Sequence, residues 1–259
     1  MTSGMPQRIV QLTDCHLFSG PHGDESGIDT WPRLHAVLQD LRRRTPDFDL
    51  LVVTGDTAHD EALATYEAVR EALGEWVPRL RIVPGNHDDR ALLRRVFPES
   101  CGDAGERLTF HAGSAGWQLI GLDSQLTGET PGELGDEQLA WLRSRLEAVP
   151  DVSTLLFVHH PPIEVGSPWL DEIGLQDADA LGRILHEFPQ VRLVACGHVH
   201  QEGSGSLSGA SVHTTPAVGP QFRPHTGVFE IEPGPPGYRV IELYPDGRWS
   251  TGVVRCAAE

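Results

Sequence analysis

Positive charge is the scarcest property of this chain: lysine is absent, and 20 arginines stand against 37 Asp and Glu, a formal net charge of −17. With neither a basic block nor a surplus of cations to neutralise phosphates, a nucleic-acid binder or an anionic-membrane binder is excluded. The acidity says nothing against a small phosphate substrate, because a bound cation can dominate its local field. Cysteine is sparse too. Cys15, Cys101, Cys196 and Cys256 form no CxxC pair and no dense framework, so reduced thiols are expected. A thiolate ligand is conceivable at Cys15 and Cys196, but small buried side chains at strand ends are the plainer reading. No apolar run approaches the ~20 residues of a membrane span, and the first seven residues carry no charged-then-apolar leader, so a soluble, cytoplasmic protein is expected. Internal repeats and linkers are also missing.

What is present is an ordinary α/β texture. At 259 residues, 39% hydrophobic, with 28 Gly and 20 Pro, the chain can bury a sizeable core. It reads as a single domain over 1–259, strand alternating with helix through 1–202 and β-rich over 203–259. Apolar runs predict strands at 8–13, 49–54, 80–83, 107–111, 117–122, 152–158 and 191–195, with a loop at 17–30. One-sided stripes predict helices carrying Leu34, Val37, Leu38 and Leu41; Ala62, Tyr66, Val69 and Leu73; Leu92, Leu93 and Val96; Leu139, Leu142, Leu146 and Val149; and Leu181, Ile184, Leu185 and Phe188. Arg42, Arg43 and Arg44 suit a helix C-terminus better than a phosphate site. From Gly203 the pattern changes to Gly-Ser turns and then strands at 211–214, 228–231, 238–243 and 249–254. Together these segments predict an α/β fold of two packed β-sheets forming a sandwich flanked by helices.

The chemistry sits at strand ends. Ile82-Val83-Pro84-Gly85 delivers Asn86, His87 and Asp88 together, as an α/β sheet presents groups at the carboxyl end of a strand. Four other strand ends carry matching groups: Asp14-Cys15-His16, Gly55-Asp56, His159-His160-Pro161-Pro162 and Gly197-His198-Val199-His200. Asp14, His16 and His200 would make one mixed oxygen and nitrogen site, and Asn86, His159 and His198 another. Asp56 remains, and a carboxylate can bridge two cations. Such a pair binds phosphate oxygens and generates hydroxide as nucleophile by lowering the pKa of water toward roughly 7. His87 is placed to serve the leaving oxygen, with Asp88 holding its other ring nitrogen. Imidazole, carboxylate and amide donors suit two divalent or mixed-valence ions of Fe, Mn or Zn better than Mg or Ca.

In order and in spacing class, these motifs resemble the full motif set of the calcineurin-like metallophosphoesterases. The flanking stretches Gln11-Leu12-Thr13-Asp14-Cys15-His16-Leu17-Phe18, Trp169-Leu170-Asp171, His200-Gln201 and Gln221-Phe222-Arg223-Pro224-His225 look like the bacterial class III cyclic-AMP phosphodiesterases. The resemblance implies that Asp14, His16, Asp56 and His200 bind the first metal, that Asp56, Asn86, His159 and His198 bind the second, and that His87 assists at the phosphate and leaving group. It implies a small phosphodiester, a cyclic nucleotide, as the partner, with His16, Asn86, His87, His200, Trp169 and Arg223 contacting it.

Other residues have plainer readings. His160 reads as a support for its neighbours rather than a substrate contact; His22, His35, His59, His186 and His213 read as surface or core. Trp169, Phe222, Arg223 and His225 are candidates for holding base or phosphate, against simple packing. Beside the cyclic-nucleotide reading stand a hydrolase of another small phosphoester, such as a 2′,3′-cyclic nucleotide, a nucleotide sugar or a glycerophosphodiester, and a noncatalytic protein-binding scaffold, which would tolerate losing the ligand set. The β-rich tail could cap the site or build a homodimer.

Overall fold

The computed structural model describes residues 4–20, 27–102, 105–114 and 116–256. The middle of the expected loop at 17–30, with His22, lies outside the described residues. In chain order the elements are β1 (Gln7–Leu12), α1 (Thr30–Arg44), β2 (Leu50–Thr54), α2 (Leu63–Leu73), β3 (Leu80–Val83), α3 (Arg90–Val96), β4 (Phe110–Ser114), β5 (Trp117–Leu122), α4 (Gly135–Ala148), β6 (Ser153–Val158), α5 (Pro168–Asp171), α6 (Ala178–Glu187), β7 (Val191–Cys196), β8 (Gly203–Leu207), β9 (Ala210–Thr214), β10 (Gln221–Phe222), β11 (Ile231–Glu232), β12 (Gly237–Leu243) and β13 (Trp249–Arg255).

One sheet has five strands in the order β13-β12-β1-β2-β3, and the other has six in the order β4-β5-β6-β7-β9-β8. β1, β2 and β3 run parallel, as do β5, β6, β7 and β9. Antiparallel strands complete the edges: β12 and β13 beside β1, β4 beside β5, and β8 beside β9. Period-two alternation sorts the side chains into layers. On β1, Val10 and Leu12 turn outward to pack with Leu34, Leu38 and Leu41 of α1 and Tyr66 and Val69 of α2, while Ile9 turns inward. Between the sheets it joins Val52, Val83, Phe110, Trp117, Phe157, Leu193 and Ile241. On the far side, Leu139, Leu142 and Leu146 of α4 and Leu181 and Leu185 of α6 cover the second sheet. The result is helix, sheet, sheet, helix, the expected sandwich. Each such leucine is worth roughly 2–5 kcal/mol against truncation to Ala.

Near the carboxyl ends of the strands the inter-sheet layer turns polar. Gln11 is buried there and donates to Thr54 Oγ1 (2.8 Å) and the Cys196 carbonyl (3.1 Å), while its own oxygen accepts from Thr215 (2.8 Å). Full pairing makes this buried amide a stitch between sheets rather than a liability.

Several expectations shift. The strand read at 107–111 begins at Phe110, because Arg107 turns in to donate to the carbonyls of Asp123, Gln125 and Glu133. Gly203–Leu207, read as turns, is β8; backbone pairing with β9 decides it, not side-chain propensity. The strand at 228–231 shrinks to Ile231–Glu232, paired with Gln221–Phe222, and leaves Val228 and Phe229 exposed. The β-rich tail supplies strands to both sheets. Arg43 and Arg44 pair with Asp40, and Arg42 pairs with Glu75, as a helix end would have it. Cys15 and Cys196 are core residues whose thiols burial pushes up in pKa.

Candidate active site

The loops after β1, β2, β3, β6 and β7 bring the seven expected ligand side chains together. Asp14, His16, Asp56, His198 and His200 all adopt positive φ, between 46° and 68°. Left-handed backbone costs about 1–2 kcal/mol per non-glycine residue, and it persists only where the surroundings enforce it. Here they do. Asp14 and His16 donate their amides to the carbonyls of Gly55 (3.0 Å) and Asp56 (2.9 Å), Gly197 donates to His159 (3.0 Å), and Gly219 donates to Asp14 (2.8 Å). Gly55 has φ +91°, and a Cβ there would lie 2.5 Å from both the Gly85 nitrogen and His159 Nδ1. Only glycine lets these loops approach so closely.

The side chains fall into two groups that share Asp56. In one, His16 Nε2 is 3.1 Å from His200 Nε2, and His200 Nε2 is 3.3 Å from Asp14 Oδ1. In the other, Asn86 Oδ1 is 3.2 Å from His159 Nε2 and 3.1 Å from His198 Nδ1. Asp56 Oδ2 lies 3.5 Å from His16 Nε2 and 3.4 Å from His159 Nε2. The remaining bonds fix what these atoms offer. His200 Nδ1 meets the Pro220 carbonyl and His159 Nδ1 the Thr54 carbonyl, both at 2.7 Å. A carbonyl only accepts, so each Nδ1 carries a hydrogen, and each Nε2 is turned toward a carboxylate, where its lone pair would be free for a cation once any proton on it is displaced. His198 Nε2 is buried with no hydrogen-bond partner among the described residues. Two buried carboxylates ringed by imidazoles and an amide oxygen need positive charge among them, and the mixed oxygen and nitrogen donors fit metal ions. Asp14, His16 and His200 form one cluster able to hold an ion; Asp14, Asp56 and His159 form another.

Electrostatics agree. Burial disfavours the His159 imidazolium, but the adjoining Asp56 carboxylate overcomes that and holds its pKa up at about 9. Burial would raise Asp56, yet His159 and His16 draw it well below the usual carboxylate range. Burial pushes His16 and His198 down. The buried acids thus take their positive charge from His159, a charge that bound cations would replace.

Other expected residues meet different fates. His87 is half-buried beside the cluster, its ring centroid 5.0 Å from that of His16, and its backbone donates to Asp56 Oδ1 (2.9 Å). Asp88 does not hold the His87 ring. Its carboxylate accepts from the amides of Gly85 and Thr57 (both 3.0 Å) and from the Tyr66 hydroxyl (3.1 Å), and so ties the loops after β2 and β3 together. Burial, then the nearby Asp56, raises its pKa to about 7. His160 has both nitrogens engaged, with Ser124 Oγ (2.8 Å) and the Thr130 carbonyl (2.9 Å), so it packs beside His198 as a support. Phe222 stacks on His200 at 3.8 Å between centroids and 8° between planes, and Trp169 and Phe229 pack against Phe222. Arg223 is held in an ion pair with Glu230 across the β10–β11 hairpin. His59, read from sequence as surface or core, stands beside the site instead. It follows Asp56 by three residues on the same loop, and its ring stacks on His87.

The family model for calcineurin-like phosphoesterases matches residues 7–202. The 3′,5′-cyclic adenosine monophosphate phosphodiesterase CpdA of Escherichia coli is 37% identical over 250 residues, which cover 96% of this chain and 90% of that protein. A 3′,5′-cyclic-nucleotide phosphodiesterase of Nostoc is 33% identical over 255 residues, covering 98% of this chain and 94% of its own. Among solved structures, a dimetal phosphatase from Danio rerio superposes with a TM-score of 0.68 at 16% identity, covering 98% of this chain and 100% of that one. At that identity the likeness concerns the fold alone.

Proposed function

Because the chain belongs to the calcineurin-like phosphoesterase family, we propose that it is a two-metal phosphodiesterase of 3′,5′-cyclic nucleotides, with cyclic AMP the foremost substrate. The observation that carries the reading is the convergence of seven side chains with oxygen or nitrogen ligand atoms, with Asp56 between the two groups. Asp14, His16, Asp56 and His200 would hold one ion, and Asp56, Asn86, His159 and His198 would hold the other. Their donor chemistry favours Fe, Mn or Zn. Bound ions supply a water acidified toward a pKa of about 7 and positive charge for the phosphoryl oxygens.

The chain's own groups do the rest. The Thr54 and Pro220 carbonyls keep His159 and His200 in the tautomer that leaves Nε2 free. As the water oxygen bonds to phosphorus and gives up one proton to solvent, the bond from phosphorus to the 3′ oxygen breaks and its electron pair leaves with that oxygen. His87 gives that oxygen its proton, and a 5′-monophosphate results. Phe222, Trp169 and Arg223, on or against the β10–β11 hairpin beside His200, line the approach for the nucleoside. No helix is long and apolar enough to cross a membrane among the described residues. Small diesters in solution are accordingly the proposed partners.

The test is product analysis after incubating the ion-loaded protein with 3′,5′-cyclic AMP, 2′,3′-cyclic AMP and bis-p-nitrophenyl phosphate. Release of 5′-AMP from the first is the expected result. Turnover of the synthetic diester alone would keep the metal chemistry and overturn the cyclic-nucleotide assignment.

A further inference from the structure

We infer that His59 is a positioning residue with two separable tasks: its Nδ1 fixes the tautomer of His16, and its ring sets the plane of His87. The inference rests on the two-metal reading above.

Two contacts define the tasks. His59 Nδ1 lies 3.0 Å from His16 Nδ1. If His16 Nε2 is to face an ion with its lone pair, His16 Nδ1 must carry the hydrogen and donate it, so His59 Nδ1 accepts. This is the outer bond by which a ligating imidazole is oriented and made more basic. The second contact is a ring stack: His59 and His87 lie 4.5 Å apart at 20°. On its own, His87 is a half-buried side chain whose ring makes no hydrogen bond among the described residues, and a proton donor with a free χ2 would deliver poorly. A flat ring parallel to it removes that freedom. His59 is itself pinned. Its amide donates to the Leu17 carbonyl (2.8 Å), Leu17 and Ala58 form a parallel bridge, and the Phe18 ring stands 4.8 Å from it. The loops after β1 and β2 therefore deliver His16 and His59 in fixed register, and the loop after β3 brings His87 against the His59 ring. Neither a ligand motif nor a hydrophobic stripe marks such a residue in sequence.

The two tasks can be separated by substitution. His59→Asn keeps a short acceptor toward His16 and loses the ring. His59→Phe keeps the ring over His87 and loses the acceptor. Two readouts follow: ion affinity, from metal content across a chelator-buffered Mn(II) series, and kcat at saturating Mn(II) for cyclic AMP against bis-p-nitrophenyl phosphate. His59→Phe should weaken ion affinity about tenfold more than His59→Asn does. His59→Asn should lower kcat for cyclic AMP about tenfold more than His59→Phe does, with the gap much smaller for the nitrophenyl ester, whose leaving group needs no proton. Equal effects of both variants on both readouts, or no effect on either, would overturn the inference. If the parent protein turned over neither diester, the functional reading would fail, while the ion-affinity comparison would still decide whether His59 supports His16.

Discussion

Truncating Asn86 to Ala probes the second ion group without adding charge or bulk. Its Oδ1 is the neutral oxygen around which that group closes, 3.2 Å from His159 Nε2 and 3.1 Å from His198 Nδ1. Removing it leaves two imidazoles and Asp56. Losing groups that merely support a ligand costs about 10–100-fold in metal affinity, so a lost donor should reach at least the upper figure. A hundredfold is about 2.8 kcal/mol. At a free ion concentration about ten times the parent Kd, occupancy of the second group would fall from about 90% to about 9%. The first group lacks Asn86 and should stay filled. Equilibrium dialysis followed by metal analysis should therefore show bound ion falling from two per chain toward one, with cyclic-AMP turnover falling at least tenfold in parallel. Two ions per chain and undiminished turnover in Asn86→Ala would refute the ligand assignment.

His87→Ala should keep both ions yet lose about 10²–10⁴ in rate on cyclic AMP, and less on nitrophenyl esters; parent rates on cyclic AMP would remove His87 from the reaction. Gly55→Ala should cost roughly 2–5 kcal/mol, combining its φ of +91° with backbone 2.5 Å from the new methyl, whereas Gly74→Ala, at φ +41° with nothing within 4 Å, should cost about 1–2 kcal/mol. Similar melting temperatures for the two metal-free variants would contradict the close-approach argument. His213, on β9, is lowered to a pKa of about 4 by burial and then by Arg239. Because the unfolded chain binds that proton more readily, its contribution to stability is present above about pH 6.5 and is lost as pH falls toward 4. Urea midpoints at pH 7 and pH 5 should therefore drop further in the parent than in His213→Gln; identical drops would exclude this linkage.

The convergence of these side chains was readable because of where they stand: an apolar run that ends in Gly-Asp, Gly-Asn-His or His-x-His announces both the strand and what its end presents. The outward stripe of α1 and the buried run of β1 declared the layers for the same reason, that periodicity reports which face is dry. Asp88 was misassigned because its partners are set by the fold. Tyr66 lies on α2 and Thr57 on another loop, and nothing near Asp88 in the chain foretells them. The tail failed in two ways. Gly203–Leu207 has almost no strand propensity and is made a strand by β9, while the apolar segment with Val228 and Phe229 is an exposed lip, since hydrophobicity alone does not say what covers a residue. His59 was invisible for a related reason: a ring stack between two loops has no period.

The account stands on two ions acting together in the site made by Asp14, His16, Asp56, Asn86, His159, His198 and His200. The most direct measurement is a titration of the metal-stripped protein with Mn(II), following bound ion and formation of 5′-AMP from 3′,5′-cyclic AMP in the same samples. Negligible turnover without ion, rising to a plateau at two ions per chain, is the result expected. Full activity in the stripped protein, or a plateau at one ion per chain, would contradict the account.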